Sequence, residues 1–427
     1  MRPTALALVL PRSPATGPTY AYGGPMIGGH LRTWGWRLGV AALALATSVG
    51  CWSAVDGSAA KATPTYQPLP AATLTAAEIA LPEDTWAVSA DASQILVQDD
   101  DDRWCVRPLA GGADTCLDLP DDARLGQASF SADGSQLALN EDFMTTMRGR
   151  LWVADVADGS VREVPPVDRD SAGPKATTGE APDTTRSSST RDSADTPRYA
   201  GSTFDPQTGL LVAIEFGIGD DRRDALVRVD AATGAPTPIA LLDQRYAGQL
   251  TAGGGLVAMG VLDADYRPAG LITVRESDGA VTDVGPRLSE LFDEGTISYP
   301  DAVSPDGTRL LVKSIDARMQ YATAPTIIDL NGSTAPTTLP GFAEDEPWTG
   351  AFSPDGAQVV VLVSGERQKE PSSLVVSDGT TTRVVEEGLR GFSPVNSELT
   401  WSTENVVTPG ANRGFLRGEP VAWQLQG

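Results

Sequence analysis

The chain has 427 residues, with 56 acidic against 32 basic side chains and a formal net charge of −24. Nucleic-acid phosphates and anionic lipid headgroups repel such a chain, since binding either needs clustered cations, and no nucleic-acid partner is expected. The single histidine, His30, falls in a segment read below as removable; without it there is no Ser-His-Asp or Cys-His arrangement, no imidazole metal site and no imidazole base, so the mature protein is expected not to be an enzyme, with carboxylate-only or metal-assisted chemistry as the alternative.

Residues 1–50 read as an export signal. Arg32 and Arg37 precede an uncharged, largely apolar run from Leu38 to Gly50, with small residues just before Cys51, the order of secretory n-, h- and c-regions. The run is shorter than the roughly 20 apolar residues that span a bilayer as a helix. Met26 would give a signal of ordinary length and is the expected true start. Ser48-Val49-Gly50-Cys51 resembles a bacterial lipobox, with Ser48 where an aliphatic residue is usual. The resemblance implies cleavage before Cys51 and its lipidation; the alternative is a chance cysteine beside an ordinary cleavage site. Acyl chains contribute about 0.8 kcal/mol per buried methylene and would hold the protein on the outer face of the cytoplasmic membrane without a transmembrane helix. Residues 51–72 then form a flexible tether. Loss of residues 1–50, which carry four arginines and no acid, takes the net charge from −24 to −28. Lysine occurs only at Lys61, Lys175, Lys313 and Lys369, while Arg, Ala, Gly and Asp are plentiful, a bias that points to a GC-rich bacterial genome.

From residue 73 onward one unit recurs: an apolar anchor, a turn rich in Pro, Asp and Gly, and an apolar stretch. The copies are AVSADASQILV, SFSADGSQLAL, TFDPQTGLLVA, LTAGGGLVAMG, AVSPDGTRLLV, AFSPDGAQVVV and GFSPVNSELTW, anchored at Val88, Phe130, Phe204, Leu250, Val303, Phe352 and Phe392. Pro presets φ, Asp caps the turn and Gly supplies positive φ, so each copy is a hairpin. A second hairpin follows in six copies, as in LWVADVADGSVREV; the seventh ends at VAWQLQG with one strand only. Four strands per repeat at a period of 40 to 53 residues, with one longer gap of 74, predict an all-β, seven-bladed β-propeller over 73–427. Glu78 to Leu81, an outer strand with no sheet of its own before it, is predicted to complete the seventh blade, so that an N-terminal strand closes the last blade of the ring.

Within the first repeat, Cys105 and Cys116 flank a Gly-Gly turn. In an oxidising compartment they are expected to form a disulfide across the hairpin, the alternative being two separate buried thiols. The longer gap holds the insertion 167–198, which lacks aromatics, Leu and Ile and is expected to be disordered.

Ser304-Pro305-Asp306-Gly307, Ser353-Pro354-Asp355-Gly356 and the near copy Ser131-Ala132-Asp133-Gly134 resemble the WD-like repeats of TolB-type propellers. Over roughly Thr75 to Gly427 the resemblance implies seven blades and carries no catalytic residue with it. TolB-like propellers commonly serve as periplasmic protein-binding platforms or stand before serine peptidase domains; with no G-x-S-x-G elbow and no mature histidine, the peptidase relationship implies no activity here.

Loops on one rim read as acidic, including Asp99-Asp100-Asp101-Asp102 and Glu141-Asp142. They would suit a basic partner, or they are a solvated loop surface. No cofactor and no metal are expected; Ca²⁺ at the Asp99 run is the alternative, although the spacing matches no defined calcium loop. Tyr246, Tyr299 and Trp348 stand four residues before their anchors and Trp86 two before Val88. These rings would line a channel mouth and stack on a peptide or glycan, or else cap the blade cores. The expected function is a membrane-tethered, extracytoplasmic scaffold binding a protein or peptide of the bacterial cell envelope. The alternative is a carbohydrate-binding module or an enzyme using acidic residues at the central channel mouth; rings and carboxylates converging in a deep pocket would favour it over a flat rim.

Overall fold

The Ser-x-Asp turn builds each repeat from its own side chains. The Ser131 hydroxyl donates to Asp133 Oδ1 at 2.7 Å and accepts from the Gln136 amide at 3.0 Å, while the Ser131 amide donates to the Gln136 carbonyl. Ser304 with Asp306 and Ser353 with Asp355 repeat the arrangement at 2.6 and 2.7 Å, and Ser89 with Asp91 at 2.7 Å. Local polar groups thus satisfy the backbone at the bend, and the apolar residues on either side are left to pair as strands.

The computed structural model describes residues 73–142, 149–167, 199–217, 223–242, 245–262, 268–288, 297–315, 323–342, 348–364, 372–389, 399–409, 411–412 and 421–427. The export signal, Cys51, the tether, residues 168–198 of the insertion and the anchor Phe392 lie outside them. Seven antiparallel sheets succeed one another along the chain. Strand β1 is Thr75–Ala80. Blade 1 comprises β2 (Thr85–Val88), β3 (Gln94–Gln98), β4 (Trp104–Pro108) and β5 (Thr115–Cys116). Blade 2 follows with β6 (Leu125–Phe130), β7 (Gln136–Glu141), β8 (Leu151–Asp155) and β9 (Val161–Glu163). In blade 3 the inner strand is β10 (Tyr199–Phe204), followed by β11 to β13 over 211–241, and in blade 4 it is β14 (Arg245–Gly253), followed by β15 to β17 over 256–283. Blade 5 runs from β18 (Ile297–Val303) and β19 (Arg309–Ile315) to β21 (Thr337–Thr338); blade 6 from β22 (Trp348–Phe352) to β25 (Thr382–Leu389).

The last blade orders as β26 (Leu399–Trp401), β27 (Val406–Pro409), β29 (Val421–Gln426) and β1 from the opposite end of the sequence. β1 pairs antiparallel with β29 from Thr75 against Gln426 to Ala80 against Val421. The closing strand predicted at Glu78 to Leu81 is therefore present, begun three residues earlier and ended one earlier. A two-residue strand, β28 (Ala411–Asn412), adds to the inner edge of blade 2 beside β6.

The apolar runs follow from a sheet covered on both sides. In β7, Leu137 and Leu139 enter the core shared with blade 1, while Ala138 enters the one shared with blade 3. In β23 (Val359–Val363), Val359, Val361 and Val363 face blade 5, and Val360 and Leu362 face blade 7. Alternation along a strand thus assigns successive residues to two different interfaces, and both interfaces are apolar. Ile95, Val97 and Cys105 of blade 1 meet Val406 and Ala422 of blade 7, which closes the ring.

The disulfide between Cys105 and Cys116 is formed; these residues face each other across β4 and β5.

Candidate functional site

The inner strands converge on a central cavity of about 600 Å³, opening among the turns that join first and second strands. Among the described residues its wall carries four rings, Phe130, Phe204, Phe352 and Trp401, of which the first three are repeat anchors. The described carboxylate residues lining it are Asp91, Asp133, Asp301 and Glu404. Threonines of three blades, Thr203, Thr251, Thr400 and Thr408, add hydroxyls. Such a volume lies within the roughly 300–1,000 Å³ range of small-ligand sites. Rings beside hydroxyls and carboxylates suit a ligand that presents both flat apolar faces and many hydroxyl groups.

Asp301 reaches the cavity through a local irregularity. Pro300 pairs with Val312 and Ala302 with Leu311, so Asp301 is an extra residue in the innermost strand, and a bulge of this kind re-aims a side chain. Its carboxylate accepts from Lys313 Nζ, from Thr349 Oγ1 at 3.2 Å and from the Gly350 amide. Lys313 is only 1% exposed, although lysine is almost never fully buried unless paired. Its ammonium also lies 5.6 Å from the centre of the Trp348 ring, a cation–π distance. The pair tethers blade 5 to blade 6 directly behind the cavity wall.

A second acidic pair links blades 3 and 4. Asp205 stands where other repeats carry the turn serine; its Oδ1 accepts from the Gln207 and Thr208 amides at 2.7 and 3.0 Å, and its Oδ2 from Gly255 of the next blade at 2.7 Å. Glu276, buried beside it, reaches Thr208 Oγ1 at 3.4 Å through one carboxyl oxygen, and the other has no partner. Burial, then the neighbouring Asp205 charge, pushes the Glu276 carboxyl up to about 7. Pro206, Gln207 and Thr208 of this turn line the cavity. Asp133 behaves oppositely: burial acts to raise its pKa, but hydrogen bonds from Ser131 and Ser135 outweigh it and hold the carboxyl below its ordinary value, as Ser89 and Ser93 do for Asp91.

The aromatic residues singled out in the sequence occupy the far ends of the inner strands. Trp86 is half-buried and meets Trp104 edge-on with centroids 5.0 Å apart. Tyr246, Tyr299 and Trp348 are buried, and Trp348 Nε1 donates to the Thr323 carbonyl at 2.6 Å. Burial raises the Tyr299 phenol. None of the four lines the described cavity. Of the rings that do, Phe130, Phe204 and Phe352 were legible as repeat anchors but not as a wall, and Trp401 was not singled out. Asp301 and Lys313 were missed, although a lysine inside the apolar run RLLVKSI of a lysine-poor chain was a signal for a paired, buried cation.

On the opposite rim, Asp99, Asp122 and Glu141 have local partners. Asp99 Oδ2 accepts from Arg103 at 2.7 Å and its Oδ1 from the Asp101 and Arg103 amides. Glu141 is buried against Arg150 at 2.7 Å, and Arg150 also reaches Asp122 at 3.1 Å. Among the described residues, Asp99, Cys105 and Cys116 bring three possible metal donors within 4.8 Å of one another. Such a cluster could coordinate an ion only as the dithiol, since the sulfurs are bonded to each other in the disulfide; thiolates suit thiophilic metals and not Ca²⁺.

No family model matches the chain, and no curated protein matches it. Among solved structures it is similar to an oligogalacturonate lyase from Vibrio parahaemolyticus, at 12% identity and a TM-score of 0.51, over 82% of this chain and 96% of that one. An oligogalacturonate lyase in complex with manganese gives 15% identity and 0.49, over 82% and 89%. A putative TolB from Agrobacterium tumefaciens gives 15% and 0.41, over 68% and 90%. The likeness to the Vibrio lyase, at low identity, shows a shared β-propeller fold. The expectation that the chain is not an enzyme is corrected by these findings. A propeller lyase shares its architecture, and possible metal donors gather in blade 1. The expected loss of the single histidine, His30, would remove imidazole chemistry alone and leave the carboxylates and the buried lysine.

Proposed function

We propose that this chain is a carbohydrate-acting propeller, exported and tethered through a lipid on Cys51, that binds its glycan in the central cavity. The observation that carries the reading is the convergence of four rings, four carboxylate residues and several hydroxyls, among the described residues, in one cavity of about 600 Å³, where a flat rim would have favoured a protein partner. Rings stack on sugar faces while hydroxyls and carboxylates fix orientation, the division of labour of a small-ligand site. The likeness to a carbohydrate lyase supports the same class. Any cleavage would rest on carboxylates, with Asp301 as the group held by the cation behind it.

The test is calorimetric titration of the full mature chain with a panel of oligosaccharides, followed by analysis of the mixtures for shortened products. Phe130→Ala, at a half-buried ring on the cavity wall, is expected to weaken binding at least tenfold, about 1.4 kcal/mol. A panel in which nothing binds, or a variant that binds as well as the parent, would sink the reading. The tether is tested separately by Cys51→Ser, which should release the protein from the membrane fraction.

A further inference from the structure

The described part of the cavity wall has one sign of charge. Asp91, Asp133, Asp301 and Glu404 line it, and no lysine, arginine or histidine is among its described lining residues. Lys313, the one lysine among the described residues, is behind the wall and already paired with Asp301. Asp91 and Asp133 are fixed by their turn serines. Glu404 stands exposed in the turn between β26 and β27. With Asp301 paired to Lys313, and Arg309 held 5.5 Å from the Phe352 ring while donating to the Gly356 carbonyl, the carboxylates of Asp91, Asp133 and Glu404 leave a negative mouth, on a chain of net charge −24. A cleft lined by one sign with low-dielectric walls concentrates ligands of the opposite sign and turns away those of its own.

Resting on the reading of the cavity as a glycan site, we propose that it selects oligosaccharides bearing protonated amino groups and rejects uronic-acid oligomers, so that its ligand class differs from the one named for the Vibrio lyase. An amino sugar presents the ring faces and hydroxyls that the aromatic and threonine side chains take, and adds a cation for the carboxylates at the mouth. A galacturonate unit would bring a carboxylate into the same field with no arginine or lysine among the described wall residues to receive it. Glu404 is the determinant most open to change: its carboxylate holds no turn together, and its backbone carbonyl alone accepts from Gln424 at 2.9 Å.

The experiment compares three probes of equal length against the full mature chain at mildly acidic pH: a glucosamine oligomer, its N-acetylated counterpart and an oligogalacturonate. The glucosamine oligomer is expected to bind at least fivefold more tightly than the acetylated one, as for about one extra charge pair near 4 Å in water, with oligogalacturonate weakest. The preference should shrink between low salt and 0.5 M salt, since surface attractions are screened. Glu404→Lys should lower the glucosamine preference several-fold and raise oligogalacturonate binding. Equal binding of the amino and acetylated oligomers, or tightest binding of oligogalacturonate, would overturn this inference while leaving the glycan site standing. Failure of all three to bind would instead remove the glycan reading itself.

Discussion

At the scale of single residues, two buried charges set the pH and mutational response. Glu276 titrates near 7 in the folded protein against an ordinary value of 4.5, so the folded state holds the proton more tightly than the unfolded chain. Its contribution is complete below about 4.5 and is lost as pH rises through about 7, amounting to on the order of 3 kcal/mol. Glu276→Gln, which keeps the neutral shape, should melt higher than the parent at pH 8 and like it at pH 4.5; parallel melting curves across that range would rule the account out. Lys313→Met should cost about 3–5 kcal/mol in denaturant unfolding, because it strands the buried Asp301 carboxylate. Adding Asp301→Asn should recover part of that loss, and strictly additive effects would show that the two side chains do not interact.

At the scale of the element, the blade turns dock on one another through backbone. Gly254 has φ +58, and a Cβ there would stand 2.2 Å from the Gly307 amide and 2.7 Å from the Pro305 carbonyl of the next blade. Gly209, at φ +70, would meet nothing within 4 Å. Gly209→Ala should therefore cost only the left-handed penalty of about 1–2 kcal/mol, and Gly254→Ala at least about 3 kcal/mol because two blade turns must also part. Thermal melting of the two variants side by side checks this; equal losses would mean that the turns are free to separate. The Ser-x-Asp turns were readable because each is satisfied within six residues. The Gly253-Gly254-Gly255 turn was readable as a bend only, since its partners Asp205 and Gln207 belong to another blade.

At the scale of the molecule, each sheet is shielded by its neighbours and the ring is sealed by β1 on β29. Leu74, just ahead of β1, is 1% exposed in the core shared by blades 6 and 7. Deleting the residues before Pro82 should lower the melting temperature of the whole domain by at least about 10 °C, since a loss of several kcal/mol shifts a large domain by a few degrees per kcal/mol. An unchanged melting temperature would mean that the ring does not depend on its closing strand.

The sequence by itself determined the number of blades, the turns that build them and the strand that closes the circle. These follow from local turn chemistry and from a repeat period, both of which act over short stretches of chain. It also marked Cys105 and Cys116 as partners, because one hairpin brings them together. Tertiary structure alone decided which rings face the cavity, that Phe130 and Trp401 share a wall with Asp301, and that Lys313 is buried behind it. Whether an inner-strand side chain meets the channel or a neighbouring blade depends on sheet twist, a bulge at one residue and the approach of the next blade, and none of these is written within a single repeat.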